Sequence, residues 1–216
     1  VGDENDPTTG GSDMPVSPVA ERQSSTGSRY EPLTPPPEGF TADDLDSIPD
    51  LPPHTELIDG SLVLVAPQKF FHTFVLSLLD RTLHGQAPEH LVVCREMTVR
   101  IGKRQRPEPD LLVVQAQAIG DLDGTWLPPE AVLLAVEVVS PESELRDRQR
   151  KPEIYAEAGI PHFWLVQQDG NEAVVFAHEL APTGGYARPT VHRGRLQLSA
   201  PFDIDVDLTG IRRGSR

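Results

Sequence analysis

The stretch Ala131–Val139, AVLLAVEVV, is apolar at every position but one. A continuous apolar run of this length, too short for an ordinary buried helix, suits a strand covered on both faces. DLLVV (Asp110–Val114) and HFWLVQ (His162–Gln167) read the same way. Strands of that kind occur where helices or further layers cover both sides of a sheet, so the chain is expected to be an α/β domain. The exception inside the run is Glu137. An isolated charge in such surroundings costs several kcal/mol, so Glu137 must be paired, hydrogen-bonded or bound to a cation.

The elements around these runs follow from pattern. TADDLDSI, from Thr41, pairs a capping residue with first-turn acids, a short-helix signature. His54–Val65 alternates on both sides of Asp59-Gly60, a strong turn dipeptide, and predicts a hairpin. Lys69–Leu83 repeats apolar residues at helical spacing through Phe71, Phe74, Val75, Leu78 and Leu79, and Leu91–Ile101 alternates in part like a strand. A helix is expected from about Glu144 to Ala158, stopped by Gly159. AVVFAHEL and RLQLSAPFDIDV read as β-hairpins closing the sheet. Residues 1–38 are rich in Gly, Ser, Thr, Pro and acids, and cannot bury enough apolar surface to offset their ordering entropy. The chain is therefore expected to divide into a disordered tail (1–38), one domain (39–210) and a short C-terminal tail (211–216).

Composition narrows the function classes. Cys94 is the single cysteine, which excludes an internal disulfide framework and a cysteine-based zinc cluster and fits a cytoplasmic setting. No run approaches the roughly 18 apolar residues of a bilayer span, and the acidic start lacks the order of a secretory signal, so no membrane partner is expected. The net charge of −14 argues against broad, nonspecific binding to nucleic acid. Its distribution matters more: residues 1–50 hold 11 acidic and 2 basic residues. Two basic clusters, one from Arg95 to Arg106 and one from Arg146 to Lys151, flank Asp110 and Glu137 and leave room for a local phosphate site.

Asp110 opens an apolar strand after Pro109, and Glu137 lies near the C-terminal end of another. Two strand-borne carboxylates can hold one hard divalent ion through oxygen. Lys151, on the helix after the Glu137 strand, can fold back to stabilise negative charge there. Each residue also has a plainer reading. Asp110 can be a turn residue, Glu137 a bridge to Arg146 or Arg148, and Lys151 the i, i+4 partner of Asp147.

The order Pro109-Asp110, Glu137-Val138-Val139-Ser140-Pro141, Asp147, Lys151, Tyr155, Gly159-Ile160-Pro161 and Phe163-Trp164-Leu165-Val166 resembles the Uma-type family of restriction-endonuclease-like proteins, a branch of the PD-(D/E)XK nuclease superfamily. The resemblance covers about residues 41–208 and extends to ELIDGSLVLVAP and the helix containing His72. It implies a restriction-endonuclease-like mixed sheet flanked by helices, with an extra N-terminal hairpin and a β-rich C-terminal part. It further implies that Asp110, Glu137 and the Val138 backbone carbonyl bind magnesium, with manganese as a substitute, and that Glu56 completes or supports the shell. Val139 stands where the superfamily's motif lysine belongs, so the resemblance implies a migrated lysine at Lys151. His72 reads as a satisfied, partly buried histidine. Tyr155 and Trp164 read as core residues, with the tyrosine hydroxyl at the rim of the site.

Together these readings predict a metal-dependent endonuclease acting on DNA, and the resemblance adds a homodimer. The alternative is a nuclease fold kept as a non-catalytic nucleic-acid- or protein-binding module, favoured by the displaced lysine and the acidic charge. A zinc hydrolase is disfavoured because the 7 histidines form no H-x-x-x-H or H-x-H pair. A serine hydrolase lacks a G-x-S-x-G.

Overall fold

The computed structural model describes residues 34–141 and 143–215. Most of the segment expected to be disordered, 1–38, thus lies outside the described residues. In chain order the elements are α1 (Asp44–Ser47), β1 (Glu56–Ile58), β2 (Ser61–Val63), α2 (Phe70–Gln86), β3 (Leu91–Arg95), β4 (Thr98–Val99), β5 (Leu111–Gln115), β6 (Trp126–Leu127) and β7 (Val132–Val138). There follow a π-helical turn (Arg146–Arg150), α3 (Lys151–Glu157), β8 (His162–Asp169), β9 (Glu172–Glu179), β10 (Thr190–Arg193), β11 (Arg195–Leu198), β12 (Ile204–Asp207) and a final 3-10 segment (Leu208–Ser215).

The three apolar runs form the middle of one six-stranded sheet of order β10-β9-β8-β7-β5-β3. Only β7 and β8 run parallel, as the helical crossover between them requires. The other neighbours in this sheet are antiparallel, so it is a mixed sheet, as expected. Alternation sends successive side chains to opposite faces. Leu111, Val113, Leu134, Val136, Trp164 and Val166 pack under α2 and the C-terminal strands. Leu112, Val114, Ala135, Phe163 and Leu165 pack on the other side against Ile154 and Tyr155 of α3. By the same alternation Asp110 and Glu137 belong to the α3 face.

The hairpin β1–β2 turns through Asp59 and Gly60, both with positive φ (52° and 79°), the geometry of a type I′ turn. Glycine suits position 60 because its φ of 79° strains any side chain, and a Cβ would also displace the Arg104 guanidinium that packs over it. The helix expected over Lys69–Leu83 runs Phe70–Gln86 and buries His72, Val75, Leu76, Leu78, Leu79 and Leu83 on one face. The strand expected over Leu91–Ile101 is shorter. β3 stops at Arg95, Glu96 takes a left-handed conformation (φ 51°), and Thr98–Val99 leaves to pair in parallel with β6.

The basic cluster from Arg95 to Arg106 was expected to leave room for phosphate, yet much of it is structural. Arg106 is buried, donates to Thr98 Oγ1 (2.9 Å) and the Ala42 carbonyl (3.0 Å), and pairs with Asp46 at 2.7 Å. Arg100 pairs with Asp43 at 2.6 Å, and Arg104 donates to the Asp59 carbonyl at 2.6 Å. These contacts fasten α1 and the hairpin to the domain, because a buried guanidinium needs its donors satisfied.

Candidate active site

Register alone brings the two strand acids together. Leu111 faces Val136 across the antiparallel β5–β7 pair, so the preceding Asp110 stands opposite Glu137. The Val138 N–H donates to Asp110 Oδ2 at 2.6 Å, which locks that carboxylate onto the end of β7. Its other oxygen, Oδ1, lies 2.9 Å from His72 Nε2 on α2. His72 is 6% exposed, so its partner is this carboxylate rather than water. The sequence placed His72 on the buried face of α2; its link to Asp110 is a contact across 38 positions that local pattern does not announce.

Glu137 is 2% exposed. Lys151 Nζ lies 2.9 Å from both of its carboxylate oxygens, and the Tyr155 hydroxyl donates to Oε1 at 2.5 Å. Lys151 also reaches Glu56 Oε1 at 2.8 Å and lies 3.6 Å from Asp147 Oδ1. Asp147, Lys151 and Tyr155 are spaced i, i+4, i+8 through the π-helical turn and α3, so one helical stripe faces Glu137. Arg146 and Arg148 do not bridge Glu137: Arg148 bonds Glu144 and Gln167, and Arg146 lines the acidic recess with its Nε unpartnered. Lys151 and Asp147 are near each other, but the closer partners of the ammonium are Glu56 and Glu137. Trp164 packs in the opposite core. Tyr155 is fully buried, and its hydroxyl belongs to the inside of the site rather than to its rim.

Glu56 is the acid whose position most departs from a surface hairpin residue. It is 3% exposed, and its Oε1 accepts both Lys151 and the Glu108 N–H (2.8 Å). Asp147, a residue of the resembling motif and the i, i+4 neighbour of Lys151, is 2% exposed and lines the same recess. Its Oδ2 accepts the Ser143 hydroxyl, while Oδ1 has no hydrogen-bond partner. The i, i+4 spacing to Lys151 was the available signal for it.

Electrostatics follow from this crowding. Burial pushes the Glu137 carboxyl well above its ordinary range, against the pull of Lys151 and with Asp147, Asp110 and Glu56 adding to the rise. Burial likewise raises Asp147. For Lys151 burial acts downward, but Glu137, Glu56 and Asp147 outweigh it and hold the ammonium well above its usual range. Burial raises the Tyr155 hydroxyl too, with Glu137 next in effect. The common cause is three buried carboxylates, Glu56, Glu137 and Asp147, gathered around one ammonium, with Asp110 adding its charge beside Glu137.

Such a donor set fits a hard divalent cation. It is all oxygen, it carries excess negative charge, and one buried carboxylate oxygen of Asp147 accepts no hydrogen bond. Asp110, Glu137, Val138 and Glu56 all line one recess of about 50 Å³. Among the described residues, no three or more His, Cys, Asp or Glu side chains are already arranged around a common ion position. Lys151 and Tyr155 bond the Glu137 carboxylate, and the Val138 N–H and His72 bond Asp110.

A mixed sheet with paired strand carboxylates and a facing lysine defines a nuclease-like fold. The sequence profile of the family described as "Uma2: Putative restriction endonuclease" matches residues 42–209, and the chain belongs to this family. Among solved structures it is similar to "a putative nuclease belonging to DUF820" from Anabaena variabilis ATCC 29413. That match has a TM-score of 0.55 at 16% identity and covers 75% of this chain and 89% of the other, which supports the shared fold. No curated protein matches the chain. Among the described residues, no helix is long and apolar enough to cross a membrane.

Proposed function

We propose that this chain is a magnesium-dependent endonuclease that hydrolyses phosphodiester bonds in DNA, with manganese able to substitute. The observation that carries the reading is the excess of buried carboxylate around Lys151, with Asp110 and Glu137 opposed on neighbouring strands. Asp110, Glu137, the Val138 carbonyl and Glu56 would hold the cation. When bound, it supplies Lewis-acid stabilisation of charge building on the phosphoryl oxygens. Lys151 stays protonated because its ammonium is held well above its usual range. Its role is therefore to neutralise developing negative charge rather than to accept a proton. Tyr155 and His72 act as positioning residues, the first on Glu137 and the second on Asp110.

Purified protein incubated with plasmid, linear and branched DNA plus magnesium or manganese tests the proposal, with Glu137→Ala as control. Cleavage by the wild type and at least about a hundredfold less by the variant is expected. Equal cleavage by both, or none on any substrate, counts against it. The same reading includes a homodimer in the cytoplasm; light scattering that shows a monomer across micromolar concentrations would contradict the dimer.

One observation favours the second reading, a non-catalytic binding module. The Glu137 carboxylate is already fully engaged by Lys151 and Tyr155. Calorimetry with magnesium separates the two: binding that is lost in Asp110→Ala supports a working metal site, and no binding by the wild type supports the module.

A further inference from the structure

The acidic recess does not stand alone. A cavity of about 340 Å³ adjoins it, and the two share Gln68 and Ser140. His72, bonded to Asp110, lines the larger cavity as well. A second cavity, of about 350 Å³, shares Val65, Ala66, Glu108 and Asp110 with the recess. Gln68 lines all three, so the two larger cavities, the near and far ends of this space, are contiguous around the recessed carboxylates.

The two ends differ in chemistry. The far end presents Glu96, Glu108 and Asp110, and its histidine, His54, is taken by Glu108 at 2.5 Å. That end repels phosphate. The near end is lined by Lys69, by Arg148 paired with Glu144 at 2.9 Å, by an apolar wall from Phe71 and Val139, and by the amides of Gln68 and Gln167. Gln167 accepts Arg148 Nη2 through its carbonyl oxygen, so its amide donors are directed elsewhere. Ring and aliphatic surface beside amides and a guanidinium is the chemistry that receives a nucleobase. The volume falls at the lower end of the range for small-ligand sites, which admits one nucleoside and not a base pair with its neighbours.

Recession of the carboxylates points the same way. Glu137 and Asp147 are 2% exposed and Glu56 is 3% exposed, lining a recess of only about 50 Å³. A stacked duplex keeps its nucleotides in a rigid array. Drawing one nucleotide into such a recess costs unpairing and unstacking, least where it is already unpaired.

We infer that the cavity lined by Gln68, Phe71, Val139, Arg148 and Gln167 is a nucleotide-binding subsite, which seats an unpaired base next to the phosphodiester at Asp110. The strand approaches from the Lys69–Arg148 end. The inference rests on the nuclease reading for its orientation, but binding can be tested apart from cleavage.

The full chain, in EDTA at low salt, is titrated with three 2-aminopurine-labelled DNAs of one sequence: single strand, matched duplex, and duplex with one bulged nucleotide. Single-stranded and bulged DNA are expected to bind at least about tenfold tighter than the matched duplex. Gln68→Trp fills the cavity from a loop, and Gln167→Glu puts a negative charge on its wall. Each variant, checked for an unchanged melting curve, is expected to reduce that preference to within about threefold. Equal affinity for all three DNAs, or an undiminished preference in whichever variants keep the wild-type melting curve, overturns the subsite. Parallel digests with magnesium separate this from the nuclease reading. Preference without cleavage of any DNA leaves the subsite standing and removes the nuclease. Cleavage of all three at one rate, with no binding preference, does the reverse.

Discussion

Replacing Lys151 by methionine removes the one ammonium from the site while keeping most of the side chain's length. The residue left behind buries well, but Glu56, Glu137 and Asp147 lose the cation 2.8, 2.9 and 3.6 Å away. Removing one partner of a buried ion pair costs about 3–5 kcal/mol, and three carboxylates share this partner, so the upper part of that range is expected near pH 8. At roughly 2–4 °C per kcal/mol for a domain of this size, the midpoint falls by about 8–20 °C. The loss depends on pH. Burial already raises Glu137 and Asp147 above their ordinary 4.5 and 3.8, and losing Lys151 raises them further. A carboxyl whose folded pKa is raised binds its proton more tightly folded than unfolded. Its contribution is fully present below the unfolded value and is lost as pH rises through the folded one. The deficit of Lys151→Met against wild type should therefore shrink on going from pH 8 towards pH 5. Urea denaturation of both proteins at the two pH values measures it. A deficit that is the same at both, or below about 1 kcal/mol at pH 8, would refute the claim that Lys151 chiefly balances buried negative charge.

Tyr155→Phe takes away the hydroxyl that donates to Glu137 and leaves the ring in place against Phe163. A loss of about 1.5–3 kcal/mol in urea denaturation near neutral pH is expected, since the acceptor is a buried charged group. Arg106→Met strands Asp46 and empties the donors that hold Thr98 and the Ala42 carbonyl. A loss of about 2–3 kcal/mol is expected from the buried hydrogen bonds that end, with hydrogen exchange rising first in Phe40–Ile48; uniform exchange across the domain would show that Arg106 does not fasten that segment.

The parts of this molecule that were legible in its sequence are those set by period and burial. AVLLAVEVV and DLLVV announce inner strands. Two-residue alternation then places Glu137 with Ala135, and Asp110 with Leu112, on the face that α3 covers. What was not legible depends on chain segments meeting from far apart. Nothing near Glu56 in a short hairpin says that its carboxylate is buried, because the burying partners are Lys151 and the Glu108 amide. His72 shows helical spacing to the buried face but not that Asp110 waits there. The basic run through Arg106 carries the same composition whether it binds phosphate or fastens α1, and only the position of Asp46 and Asp43 decides.

The position of Lys151 follows from the same geometry. Position 139 lies two residues beyond Glu137, on the same face of the chain by alternation, so a lysine there would reach the carboxylates from the strand. Val139 instead packs with the apolar cluster beneath α3. The helix brings the charge from above: Lys151 lies one turn after Asp147 and one turn before Tyr155, and all three converge on or beside Glu137. The approach passes through a π-helical turn at Arg146–Arg150, a wider ring that shifts the residues after it relative to a regular helix. A lysine on a strand is held by one sheet register, whereas this one is held by the packing of Ile154 and Tyr155 into the core. Its ammonium is thus positioned by the same apolar contacts that join α3 to the sheet. Any change that loosens α3 must then also remove the cation from Glu137, which couples the stability of the fold to the charge balance of the site.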